Sequence, residues 1–170
     1  RYGGGDDGAP RPIVLNMASR TSPGGGWRKG DGAQEENVFR RSNYCLALDV
    51  LGEEHVAPAQ RISVHHLYPI AQFGAVHTSN VRAIRGREDE GYPLLAEPYA
   101  FDAIAVWAYH KPQLDERRRY DVRQRRWLSE PRMPRDYVLL TFHKLLTLFA
   151  VCAHHGHRHL VLSALGCGAF

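Results

Sequence analysis

Apolar positions change their spacing several times along the chain, and each change marks an element. Pro12-Ile-Val-Leu-Asn16 is a compact apolar run and predicts a short buried strand, after which Ser, Gly and Pro dominate and predict a loop. From Gln34 to about Leu51 the mixture of polar and apolar residues has helical character. Val38, Cys45 and Leu48 fall on one side, and Gly52 is placed to stop the helix. Two short strands are expected at Gly74 to Thr78 and Val81 to Arg85. A stronger one covers Phe101 to Tyr109, nearly continuous in apolar residues as a strand buried on both faces should be. A second helix is predicted from about Arg135 to His155, with Pro134 suited to its first turn and Gly156 to its C-terminal cap. Its expected buried stripe is Val138, Leu145, Leu148, Phe149 and Cys152. A last strand, His159 to Ala164, leads into Leu165-Gly-Cys-Gly-Ala-Phe170. Strand, helix, strands, helix, strand is the order of an α/β layered domain.

Length and composition narrow this picture without redirecting it. With 170 residues, 44% hydrophobic and 24% charged, the chain suits a single globular domain over 1–170. Residues 1–11, polar and rich in Gly and Pro, are expected to be a flexible start, with no signal or transit peptide visible. No apolar run is read as a bilayer span, and no membrane partner is expected. Ending in a glycine-rich turn directly after a strand, the sequence reads as a fragment or trimmed version of a larger fold. Cys45, Cys152 and Cys167 lack any CxxC spacing and are expected to be reduced thiols of an intracellular protein, cytoplasmic or nuclear and not secreted. The net charge of +4 is concentrated between Lys111 and Asp136, where nine basic residues face five acidic ones. Residues 111–134 are therefore expected to be a basic insert or loop, of a kind that suits a polyanionic partner or simply a solvated surface.

The chemistry is concentrated in one stretch. Pro23 is followed by Gly24, Gly25 and Gly26, and seven residues later stand Gln34, Glu35 and Glu36. Three glycines after a strand let the backbone approach a ligand with no side chain in the way, and their N–H groups can form an anion-binding concavity. Two vicinal carboxylates at the start of a helix lie about 100° apart around it, so one can face a substrate while the other holds it. Glycosidic cleavage needs a carboxyl group to protonate the leaving oxygen, and a carboxylate to stabilise the cation or activate water. A flexible turn before a helix with dipole-complementing Glu residues is the plainer explanation of either half alone. The two together, at this spacing, favour function.

That combination resembles the signature of poly(ADP-ribose) glycohydrolases. Val14-Leu-Asn-Met-Ala-Ser19, Pro23-Gly-Gly-Gly-Trp27, Ala33-Gln-Glu-Glu36 and Arg40-Arg-Ser-Asn-Tyr44 are similar to the bacterial-type branch in particular. The resemblance resumes at Tyr68-Pro69 and Thr78-Ser-Asn-Val-Arg82, and closes with Leu160 to Phe170. It implies a macrodomain-like three-layer α/β/α fold with a mixed central sheet and ADP-ribose in a crest-side cleft. It further implies that Glu36 is the acid/base and Glu35 its ribose-holding partner. Asn16, Gly24, Gly25, Gly26 and Gln34 would contact the ligand. Gly166, Cys167, Gly168 and Ala169 would wrap the diphosphate, and Phe170 would pack by the distal ribose. The implied activity is hydrolysis of ribose–ribose O-glycosidic bonds in poly(ADP-ribose), with ADP-ribose as product and ADP-ribosylated proteins as partners.

Two near alternatives are a non-catalytic ADP-ribose reader and a mono-ADP-ribosyl hydrolase; retention of both Glu35 and Glu36 argues against a reader. The basic segment offers only Tyr120 and Trp127 as stacking platforms, so no sequence-specific nucleic-acid partner is expected. His154, His155, His157 and His159 crowd around Gly156, and His65 and His66 form another pair. Cationic or polar residues commonly cap the end of a helix, and the expectation is no metal and no cofactor. Cys167 has no His or Asp at a spacing that would activate it as a nucleophile.

Overall fold

The computed structural model describes residues 11–48 and 66–167. Its elements are β1 (Ile13–Met17), α1 (Gln34–Arg41), α2 (Tyr44–Leu48), β2 (Val76–Arg85), β3 (Leu94–Val106), β4 (Asp115–Asp121), β5 (Arg126–Arg132), α3 (Arg135–His154) and β6 (Leu160–Val161). The main sheet has the order β2-β3-β1-β6. It is mixed: β1 runs parallel to β3 and β6, and β2 runs antiparallel to β3. The expected α/β fold with a mixed sheet is borne out.

Alternation along the central strands makes the layers. On β3, Phe101, Ala103 and Ala105 join Phe39, Tyr44 and Leu48 in one core, on the side of α1 and α2. The intervening Ile104 and Val106, with Ile13 and Leu15 of β1, pack on Leu148 and Cys152 of α3. Both faces of β1 and of β3 from Phe101 to Val106 are thereby covered, which is why these stretches are mostly apolar.

Several elements depart from the sequence pattern. The first helix is not continuous to Leu51: it stops at Arg41 and resumes at Tyr44. Ser42 is extended and bridges to Ala83, while Asn43 donates its N–H to the Arg82 carbonyl (3.1 Å) and accepts the Arg82 N–H on its side chain (2.8 Å). Strand β2 lies at the sheet edge, and the break gives its outward backbone groups partners. The break also rotates the buried side. Phe39 and Tyr44 fill the core, whereas Val38 and Cys45 are half-buried; the expected stop at Gly52 lies outside the described residues.

The two strands expected at 74–78 and 81–85 are one strand with a bulge between Thr78 and Val81. Asn80 sits there at φ 57° and donates its N–H to Asp102 Oδ1 (2.8 Å), a conformation that Asn tolerates better than most residues. β3 starts earlier than expected, at Leu94, and ends at Val106, short of Tyr109. The last strand is shorter too, only Leu160–Val161 beside Ile13 and Val14. Within residues 111–134, expected as a basic insert or loop, β4 and β5 form a two-stranded hairpin apart from the main sheet, with Tyr120 opposite Trp127.

The predicted stripe of α3 holds at Leu148 and Cys152, with Leu145 half-buried, and is corrected elsewhere. Val138 and Phe149 are exposed, and the side facing the sheet is Lys144, Leu148 and Cys152, one residue per turn. Lys144 Nζ donates to the Gln72 carbonyl (2.5 Å) and lies 3.3 Å from the centre of the Trp107 ring. Burial, and then the nearby Arg20 guanidinium, pull its pKa down to about 8. With 20 residues and a mean hydropathy of 1.4, α3 is long and apolar enough to cross a membrane by length and composition, a property the sequence reading did not assign to it. Here it is the layer that covers β1 and β3.

Candidate active site

The site is built where β1 ends. Parallel strands leave the chain at their C-terminal ends pointing toward the loops, and the loop after β1 returns to α1 through the three glycines. The first turn of α1 then reaches back. Gln34 accepts the Met17 N–H on Oε1 (2.9 Å) and donates Nε2–H to the Leu15 carbonyl (2.7 Å), stitching the helix start to the strand.

Glu35 is 3% exposed and wholly occupied as an acceptor. Oε1 takes Asn16 Nδ2–H and the Gly24 N–H, both at 3.1 Å, and Oε2 takes the Ser19 N–H at 2.7 Å. Burial nevertheless raises its pKa to about 7, against the lowering by those three donors and with a further push from the Glu36 charge. Glu36 differs. Its Oε1 accepts the Gly26 N–H (3.1 Å), while its buried Oε2 meets no hydrogen-bond donor among the described residues.

The glycines answer to these carboxylates. Gly25 has φ +55°, and a Cβ there would collide with Glu36 Oε1; at Gly24, φ +74°, a Cβ would lie 2.5 Å from both the Phe39 and Trp27 rings. Only glycine satisfies both the backbone angle and the contact.

These parts border a cleft of about 860 Å³, within the size range of small-molecule sites. Gly25, Gly26, Gln34, Glu35 and Glu36 line it from one side and Gly166, at φ +83°, from another. The first glycine loop and Gly166 therefore meet at one cavity. Asn16 and Gly24 stand behind it, holding Glu35, instead of lining it. Cys167 is exposed, does not line the cleft, and has its N–H donated to the Ala164 carbonyl (3.0 Å). Gly168, Ala169 and Phe170 lie outside the described residues. Sequence reasoning missed Ser19, whose N–H holds Glu35, and the cleft-lining Lys29 and Asp31; their nearness to the glycines was the available signal.

Two comparisons with known proteins bear on the family and the fold. Residues 4–86 match the model of the family described as microbial-type PARG, catalytic domain, PARG being poly(ADP-ribose) glycohydrolase. Among solved structures, the chain is similar to poly(ADP-ribose) glycohydrolase from Thermomonospora curvata bound to the inhibitor ADP-HPD, at 27% identity and TM-score 0.62, over 95% of this chain and 52% of that one. A mutant of the same T. curvata enzyme gives 27% identity, TM-score 0.65 and the same coverage. Poly(ADP-ribose) glycohydrolase from Deinococcus radiodurans in complex with ADP-ribose shares the fold at 24% identity and TM-score 0.59, over 94% of this chain and 55% of that one. The chain thus spans about half the length of the solved structures it matches. No curated protein matches it by sequence. The resemblance read from the sequence holds in both the family model and the fold.

Proposed function

We propose that this chain, similar to the microbial-type poly(ADP-ribose) glycohydrolases, carries the hydrolytic centre for the ribose–ribose O-glycosidic bonds of poly(ADP-ribose), releasing ADP-ribose. The observation that carries the reading is the unequal state of two adjacent carboxylates at one cleft. Glu35 has every oxygen engaged by loop donors, whereas Glu36 has one oxygen fixed and one without a donor among the described residues. Binding alone does not call for a second carboxyl group held this way. Acid/base catalysis does.

In this mechanism Glu36, as the carboxylic acid, gives its proton to the departing ribose oxygen while the bond to the anomeric carbon breaks and an oxocarbenium-like centre develops. The resulting carboxylate then takes a proton from the water that attacks that carbon. Glu36 ends protonated, as it began, and the bond has gained one water. Glu35, locked to Ser19, Asn16 and Gly24, positions the ribose and keeps the glycine loop in register. Gly25, Gly26 and Gly166 offer close backbone approach to the diphosphate. The T. curvata relative bound to ADP-HPD supports a ligand of this class. The partners are then poly(ADP-ribose) and ADP-ribosylated proteins. With Cys45, Cys152 and Cys167 read as reduced thiols, an intracellular setting goes with this reading.

Incubation with labelled poly(ADP-ribose), with products separated by size and compared with a mono-ADP-ribosylated substrate, tests the proposal. Release of ADP-ribose from polymer is expected. Polymer left intact by a protein that still binds ADP-ribose would make it a reader, and turnover of the mono-modified substrate alone would make it a mono-ADP-ribosyl hydrolase.

A further inference from the structure

At the opposite end of β1 from the cleft, three side chains from three elements converge. His77 comes from β2, Asp102 from β3, and His157 from the turn after α3, where Gly156 at φ +74° reverses the chain and the His157 N–H caps the Cys152 carbonyl (2.9 Å). His77 Nε2 lies 3.1 Å from His157 Nε2, and His157 Nε2 lies 3.4 Å from Asp102 Oδ2. All three ligand atoms fall within 4.8 Å of one another. The His157 and Asp102 side chains are only 8% and 12% exposed.

Hydrogen bonding alone satisfies this arrangement poorly. If His157 Nε2 carries the proton, it has one hydrogen for two acceptors; if His77 Nε2 carries it, Asp102 Oδ2 faces a bare lone pair. A dication satisfies all three lone pairs together. For a tetrahedral ion with nitrogen ligands at about 2.0–2.1 Å, neighbouring ligand atoms stand about 3.3 Å apart, close to the 3.1 Å and 3.4 Å separations found here. The supporting contacts have the character of an outer shell. Asp102 Oδ1 accepts the Asn80 N–H at 2.8 Å, with Arg11 Nη1 at 3.9 Å, which turns Oδ2 toward the histidines, and the His155 ring stacks on His77 at 3.8 Å.

We propose that His77, Asp102 and His157 bind a divalent transition-metal ion of the zinc class, one that ties β2 and β3 to the end of α3. Two imidazoles and one carboxylate suit such an ion better than calcium or magnesium, which prefer all-oxygen shells. The site is separate from the candidate active site and stands whether or not the glycohydrolase reading does. It also revises the expectation of no metal, because the ligand partners of His157 are distant in sequence and not the neighbouring histidines.

The test is titration of the chelator-treated full chain with Zn²⁺ against a chromophoric chelator, followed by Co²⁺ substitution. One equivalent of zinc, visible bands of four-coordinate cobalt, and a melting temperature that rises with zinc concentration are expected. His77→Gln and His157→Gln should each weaken binding by more than the roughly 10–100-fold that loss of an outer partner costs, while His154→Gln and Cys167→Ser should leave it unchanged. Should a variant fail to fold, the ring resonances of the parent decide: those of His77 and His157 should move on adding zinc. No zinc uptake by the parent, uptake that survives both His→Gln changes, or shifts confined to His154, His155 and His159 would overturn the proposal.

Discussion

Glu35 and Glu36 are neighbours in sequence held in different ways, and single substitutions separate the roles proposed for them. Glu36→Gln keeps the size and can still accept the Gly26 N–H, but it cannot donate or take the proton of an acid/base. ADP-ribose release should fall by roughly 10²–10⁴-fold, with ADP-ribose affinity in calorimetry nearly unchanged. Glu35→Gln should act differently, because an amide NH₂ must face an N–H that the carboxylate had satisfied; urea unfolding should show a loss of about 1–3 kcal/mol. Glu35 also makes stability depend on pH. Its pKa rises from 4.5 to about 7 on folding, so between those values the native protein holds a proton that the unfolded chain releases. The contribution is therefore fully present below about pH 4.5 and is lost as pH climbs to about 7, a change of about 3 kcal/mol. Unfolding followed across that range should show this decline, and Glu35→Gln should flatten it.

At the scale of elements, α3 shows how a helix can hide a charge. Lys144 occupies a core position because its Nζ has both the Trp107 face and the Gln72 carbonyl, and Trp107 is itself anchored by donating Nε1–H to the Ile70 and Ala71 carbonyls, each at 3.1 Å. Lys144→Met matches the volume but leaves the Gln72 carbonyl bare and the cation–π contact gone. Denaturant titration should register a loss of about 1–3 kcal/mol. No reading by hydrophobic period finds such a residue, since the period scores Lys144 as surface and Val138 or Phe149 as core, the reverse of what α3 does. The same reasoning separates what was legible from what was not. β1, the glycine loop and the paired carboxylates are local signals and were readable. The break at Ser42 and the bulge at Asn80 exist to satisfy groups on another element, β2 and Asp102 respectively, and leave no trace in their own segment. The β4–β5 hairpin was invisible for a different reason: its strands are exposed on both faces, so apolar alternation never develops.

Taken as a whole, the molecule has its candidate site in the cleft and most of its net positive charge on the β4–β5 hairpin. Arg117, Arg118 and Arg119 are exposed there, with Arg119 paired to Glu130 at 3.1 Å. If the hairpin draws in the polymer by charge, replacing these three with Gln should weaken capture of poly(ADP-ribose) at low salt. The difference should fade at high salt, as the screening length shrinks from about 10 Å at 0.1 M toward about 3 Å at 1 M. Filter binding across a salt series measures this, and a loss independent of salt would assign the arginines to the hairpin's own structure. The cleft, in contrast, owes its shape to a closed circuit. Gln34, Glu35 and Glu36 reach back from one helical turn to Met17, Ser19, Gly24 and Gly26, so the segment they span is fastened at four points. Ordering a residue's backbone costs about 1–2 kcal/mol, and here that ordering is completed when the chain folds. A ligand arriving at this loop would meet a wall already set in shape, and little of its binding free energy would be diverted into arranging it.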